Sequence, residues 1–130
     1  MASASRSNPC RVLLVEDDEL MATLIDEMLA LDRRVKLVGR AGNGREALTM
    51  AAALDPDVIL MDLEMPLMDG VEATRRLREL RSTARVVVLT GVEDAGRIRA
   101  ARKAGADTFV TKVPTVEELV RVVLAERSAA

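Results

Sequence analysis

The sequence predicts an α/β fold, a doubly wound five-stranded parallel sheet carrying five helices. Three observations point there. Short β-branched apolar runs alternate strictly with amphipathic stretches of helical period. No internal repeat or linker interrupts that alternation after Cys10. The chain's 130 residues, 49% of them hydrophobic, suffice for one domain with a substantial core.

In chain order, "RVLLV" (11–15) reads as the first strand. Residues 20–31 follow as a helix, with Met21, Leu24, Ile25, Met28 and Leu29 at helical spacing. "VKLVG" (35–39) is a shorter second strand, and "NG" at Asn43 and Gly44 is a turn signal before a helix over about 45–54. That helix ends ahead of "DPD", because Pro56 cannot continue it. Val58, Ile59, Leu60 and Met61 form an unbroken apolar run, a strand buried on both faces, which stops on Asp62. A helix over about 71–80 comes next, then "RVVVL" (85–89), a helix over about 93–104, "TFVT" (108–111), and a last helix from about Pro114. Leu119, Val120, Val123 and Leu124 give that last helix its apolar stripe. Right-handed crossovers cover such a sheet on both faces, and a ligand sits at the carboxyl ends of the strands.

Composition excludes several function classes. A net charge of −2 and pI near 5.3 give no bulk basic character, so no nucleic acid contact is expected of the chain. The single cysteine, Cys10, excludes an internal disulfide and a cysteine-based metal site. The absence of histidine removes the commonest general base, the commonest transition-metal ligand and any phosphohistidine. With no Trp, no Tyr and one Phe, stacking on bases has no platform. The polar leader over 1–10 lacks the apolar segment of a secretory signal and is expected to be disordered, with the domain over 11–127 and a tail over 128–130. No apolar run approaches the length of a membrane span, so a soluble, cytoplasmic chain is expected.

What the strands end on carries the chemistry. The first ends on Glu16 and Asp17, the third on Asp62, the fourth on Thr90 and the fifth on Lys112. A carboxylate at the end of a buried strand is costly unless paired, so these groups are expected to converge on one pocket. Acids also favour helix N-termini, and for Asp18 and Glu19 that reading is preferred. It does not account for Glu16, Asp17 and Asp62 together with Lys112. Three carboxylates, one hydroxyl and one ammonium suit a hard cation such as Mg²⁺. With Mg²⁺ and Lys112 the three carboxylates are roughly neutralised, and a phosphoryl group on Asp62 brings the pocket to about −1. Without the metal the loaded pocket reaches about −3, so phosphorylation is expected to require the cation. A carboxylate is a known nucleophile in phosphoryl transfer through an aspartyl-phosphate.

"LLVEDDE", "DVILMDLEMPLMDG", "VVVLTG" and "GADTFVTK" stand in order along residues 11–124. Together they resemble the receiver domain of bacterial two-component response regulators. The resemblance implies a flavodoxin-like strand order 2-1-3-4-5. It implies that Asp62 is the phosphoacceptor, taking its group from a sensor histidine kinase or a phosphotransfer protein. Asp17 would bind Mg²⁺ directly, Glu16 through water, and Glu64 by its backbone carbonyl. Lys112 would contact the phosphoryl oxygens, and Thr90 and Phe109 would act as the switch pair. The output would leave through the fourth helix, fifth strand and last helix, with a homodimer possible on phosphorylation. Two features differ from the common pattern or vary within it. Val113 separates Lys112 from Pro114, where many receivers place proline directly after the lysine, and Glu64 and Val92 occupy positions that in that family tune phosphoryl lifetime.

The fourth helix is poor in apolar residues, with Ile98 its only large one and Gly96 lowering its propensity. It is therefore expected at the low end of local stability, where a population shift can move it. Arg75, Arg76, Arg78, Arg81, Arg97, Arg99, Arg102 and Lys103 are read as a solvated basic face, with an acidic partner or dimer contact as the alternative. Two further readings stay open. One is a Mg²⁺-dependent phosphohydrolase passing through an aspartyl-phosphate, with Glu64 at the spacing of a second acid. The other is the receiver portion of a longer DNA-binding regulator, although the chain ends at "AERSAA" without room for an output domain.

Overall fold

A computed structural model describes residues 8–91 and 95–125. Five strands and five helices alternate: β1 (Cys10–Val15), α1 (Glu19–Leu29), β2 (Val35–Ala41), α2 (Gly44–Leu54), β3 (Val58–Asp62), α3 (Gly70–Glu79), β4 (Arg85–Thr90), α4 (Ala95–Ala104), β5 (Thr108–Thr111) and α5 (Val116–Leu124). The strands form one sheet in the order β2-β1-β3-β4-β5, every pair parallel, as the sequence predicts.

The period of two in the central strands sorts their side chains onto two faces. Leu13, Val15, Ile59, Met61, Val86 and Val88 pack with Ala47, Ala51, Ala73, Leu77 and Ala101, so α2, α3 and α4 share one face. Val12, Leu14, Leu60, Val87 and Leu89 pack with Ile25, Leu29, Leu119 and Val123, so α1 and α5 cover the other. Burial on both faces is why these runs are continuously apolar. Among the described residues no helix is long and apolar enough to cross a membrane.

Several boundaries differ from the sequence expectation. The first helix stops at Leu29, capped by Ala30, and Leu31 lies in the following turn, 75% exposed. The second strand runs on to Ala41, because it stays paired with β1 as far as Val15. The "NG" signal proves to be an N-cap, with Asn43 Oδ1 accepting from Glu46 N. The last helix starts at Val116, two residues later than expected. Thr115 and Glu118 form a capping box there, each side chain accepting from the other's backbone N–H, which fixes the start after Pro114. Asp18 caps α1, accepting from Leu20 N and Met21 N, which bears out the helix-start reading for it. The expected start of the fourth helix at Glu93 lies outside the described residues, as do Val92, the first part of the leader and the tail.

Candidate functional site

Because all five strands run parallel, their carboxyl ends meet on one edge of the sheet, and the polar residues that end them meet there too. Asp62 closes β3 and is 2% exposed; Glu16, just past β1, is 4% exposed. Thr90 closes β4 and Lys112 follows β5. Asp17 is exposed, yet one carboxylate oxygen from each of Glu16, Asp17 and Asp62 lies within 4.8 Å of the other two.

The Lys112 ammonium donates to Asp62 Oδ2 at 3.3 Å and stands 3.6 Å from Glu16 Oε1. Asp62 Oδ1 accepts from Glu64 N at 3.3 Å. Glu16 Oε2 accepts from Asp18 N at 3.1 Å, whereas Glu16 Oε1 is buried without a hydrogen bond. Burial pushes the Glu16 carboxyl up to about 7; Asp62 adds to that, while the Asp18 N–H and Lys112 oppose it. Partial burial alone would lower the Lys112 ammonium, but the carboxylates of Asp62 and Glu16 outweigh it and leave it raised.

This donor set fits a hard divalent cation. It offers oxygen only, it holds two more carboxylates than its single ammonium can balance, and one of its buried oxygens has no hydrogen-bond donor. Over it opens a cleft of about 330 Å³, with Asp62 at its floor, Leu63 and Leu89 in its walls, and Glu64, Thr90, Gly91 and Lys112 around it. Thr90 Oγ1 donates to the Gly91 carbonyl at 3.1 Å. Phe109 is not in the cleft lining. It is half-buried on β5 against the α2–α4 face of the core, with the Arg102 guanidinium 4.7 Å above its ring centroid.

The loop after Asp62 is held closely. Gly70, the first residue of α3, donates to the Leu63 carbonyl at 2.9 Å. A Cβ at Gly70 would run into the Asp62 carbonyl, so only glycine lets α3 start this near the strand end. Asp69 caps α3 by accepting from Glu72 N.

Two members of the basic face turn onto backbone carbonyls, while Arg75 and Arg76 pair with Glu72 and Arg102 lies over Phe109. Arg78 donates to the carbonyls of Ser82, Ala84 and Gly105 and pairs with Asp107 at 2.8 Å. It closes the amino end of β4 against the turn before β5, where Gly105 takes φ +118° and leaves room for the arginine stem. Arg97 crosses from α4 to the loop after Asp62, donating to the Leu63 carbonyl at 2.7 Å. Both were missed from sequence because backbone carbonyls leave no mark on it. The rest of the face, Arg75, Arg76, Arg81, Arg99, Arg102 and Lys103, is exposed.

The family model of the response regulator receiver domain matches residues 12–124. The chemotaxis protein CheY of Halobacterium salinarum is 37% identical over 117 residues, covering 88% of this chain and 96% of that protein. The nitrate/nitrite response regulator protein NarL of Escherichia coli is 33% identical, over 90% of this chain and 54% of its own length. The chain thus spans nearly all of that CheY but about half of several other relatives. Among solved structures, the signal receiver domain of the putative response regulator NarL from Mycobacterium tuberculosis superposes with a TM-score of 0.86 at 32% identity, covering 90% of this chain and 94% of that one. With the parallel sheet, its strand order and the acidic edge in place, these matches are decisive: the chain belongs to the response regulator receiver family, the signalling domain of two-component systems.

Proposed function

We propose that the chain accepts a phosphoryl group on Asp62, from a histidine of a sensor kinase or phosphotransfer protein, and signals through α4, β5 and α5. The observation that carries this is a buried Asp62 carboxylate, held by Lys112 at 3.3 Å, at the floor of an open cleft beside two further carboxylates. In the transfer, an oxygen of Asp62 attacks phosphorus and forms the new O–P bond. The N–P bond to the donor imidazole breaks, its electron pair stays on nitrogen, and the group is now an acyl phosphate.

Glu16, Asp17 and Asp62, with the Glu64 carbonyl, would hold Mg²⁺, which supplies charge neutralisation and orientation for the phosphoryl oxygens. The chain's own residues do the rest. Lys112 moves its ammonium from the Asp62 carboxylate to the phosphoryl oxygens with little displacement, since both lie in one cleft. The Glu64 N–H, already aimed at Asp62, is a second donor to the arriving group. Thr90 must break its bond to the Gly91 carbonyl to reach the phosphoryl oxygens, and that movement is the first step of the switch. Phe109, in the next strand, is the aromatic that follows it.

Intact mass after incubation with acetyl phosphate tests this reading. Wild type gains one phosphoryl group only with Mg²⁺, and Asp62→Ala gains none. A gain by Asp62→Ala, or by wild type in excess chelator, would overturn it.

A further inference from the structure

We propose that Arg97 is a positioning residue for Asp62: by holding the Leu63 carbonyl it aims the Glu64 N–H at the phosphoacceptor. The inference rests on the phosphoacceptor reading for its consequence, though not for its geometry.

The Leu63 carbonyl and the Glu64 N–H belong to one peptide unit. That unit is planar and trans, so the two groups point in opposite directions and turn as one body. At its carbonyl end Leu63 O accepts from Arg97 Nη2 at 2.7 Å and from Gly70 N at 2.9 Å. At its amide end Glu64 N donates to Asp62 Oδ1 at 3.3 Å. Pulling the carbonyl toward Arg97 therefore turns the N–H into the cleft. A charged donor on the carbonyl also polarises the unit, which makes the amide at its far end a stronger donor.

The Gly70 bond is part of the start of α3 and is fixed with that helix. Arg97 differs, because it sits near the start of α4, the helix that packs beside α3 on the same face of the sheet. Its guanidinium also stands 3.7 Å from Asp69 Oδ2, the carboxylate that caps α3, which steers it to this side of the loop. One side chain thus ties the helix expected to move to the peptide that faces the reacting carboxylate. A shift of α4 that draws Arg97 away loosens the Glu64 donor, and by reciprocity an occupied Asp62 that engages this N–H favours the α4 position that keeps Arg97 in place.

The experiment compares wild type with Arg97→Ala, Arg97→Lys and the control Arg99→Ala, an exposed neighbour on the same helix. In the ¹⁵N–¹H spectrum of the metal-free protein, Arg97→Ala moves the Glu64 amide proton upfield and speeds its exchange. Arg97→Lys, which keeps one charged donor, restores most of both, and Arg99→Ala changes neither. With Mg²⁺ and acetyl phosphate, Arg97→Ala labels roughly fivefold more slowly at saturating donor, with the half-saturating concentration unchanged. An unmoved Glu64 amide in a folded Arg97→Ala overturns the positioning. Should that variant not fold, the same null in Arg97→Gln overturns it equally. A shifted amide with wild-type labelling overturns the link to Asp62. If wild type takes no phosphoryl group, the proposed function fails, while the Glu64 amide still decides the geometry.

Discussion

At the amino end of the sheet the charged residues are matched by backbone groups. Arg11 donates to the carbonyls of Leu54 and Asp55 at 2.7 and 2.8 Å, and its own N–H donates to Asp57. Arg85 reaches the last carbonyls of α5, at Val122 and Val123. Arg78 and Asp107 close on one another and on the carbonyls around them, and Asp107 also accepts from Val86 N. At the carboxyl end Glu16 and Asp62 share one ammonium, Asp17 adds a third carboxylate beside them, and a buried oxygen of Glu16 has no hydrogen bond. One end is balanced within the fold, and the other keeps an excess of negative charge, which the proposed cation would relieve. Mutations at the two ends should therefore differ in sign.

The largest effect is expected at the amino end. Arg78→Ala should lower the folding free energy by about 3 kcal/mol, since it strips a charged donor from three carbonyls and leaves Asp107 half-buried without its cation. Chemical denaturation reads this, and Arg78→Lys should recover less than half, lacking the forked geometry. A loss below about 1 kcal/mol would remove the contrast between the two ends. At the carboxyl end, Mg²⁺ at a hundredfold excess over its dissociation constant should stabilise wild type by about 2.7 kcal/mol. Asp62→Asn should lose most of that gain; equal stabilisation of both proteins would place the cation elsewhere.

Smaller and opposite in sign to Arg78→Ala, Asp62→Asn should raise the stability of the metal-free protein by about 1 kcal/mol. The amide removes a like charge and can donate to the unsatisfied Glu16 Oε1. A destabilised Asp62→Asn would show that Lys112 already balances the cluster. The finest test lies within α4, which buries Ala101 where the shorter α5 buries Leu119, Val120 and Val123. Its amides should exchange fastest of the five helices and slow when Mg²⁺ and beryllofluoride are added. Protection equal to that of α5 in both states would refute a mobile α4.

Much of the site was legible because it is written in residue types. A continuous apolar run ending on Asp62 marks a buried strand and a charge placed at its end; β4 likewise ends a buried apolar run on the polar Thr90, and Lys112 follows the shorter, half-buried β5. The division between Glu16 and Asp17 was not legible. The two are adjacent acids, and only the packing at the end of β1 buries the first and leaves the second exposed. Helix ends were misjudged where apolar residues lie outside the helix, as at Leu31, or where a capping box delays its start, as at Thr115. Arg78 and Arg97 read like Arg75 and Arg99, because a cation on a helix surface looks the same whether it meets water or a carbonyl from a distant loop.

By itself the sequence determined the alternation of elements, the parallel sheet, and the convergence of Glu16, Asp17, Asp62, Thr90 and Lys112, since periodicity and strand-end polarity are local properties. The tertiary structure alone decided which carboxylate oxygen goes unsatisfied, which arginines turn inward, and how the Leu63–Glu64 peptide faces Asp62. Those depend on distances between segments far apart in the chain, and backbone donors and acceptors, identical at nearly every residue, carry no sequence signature until folding brings them together.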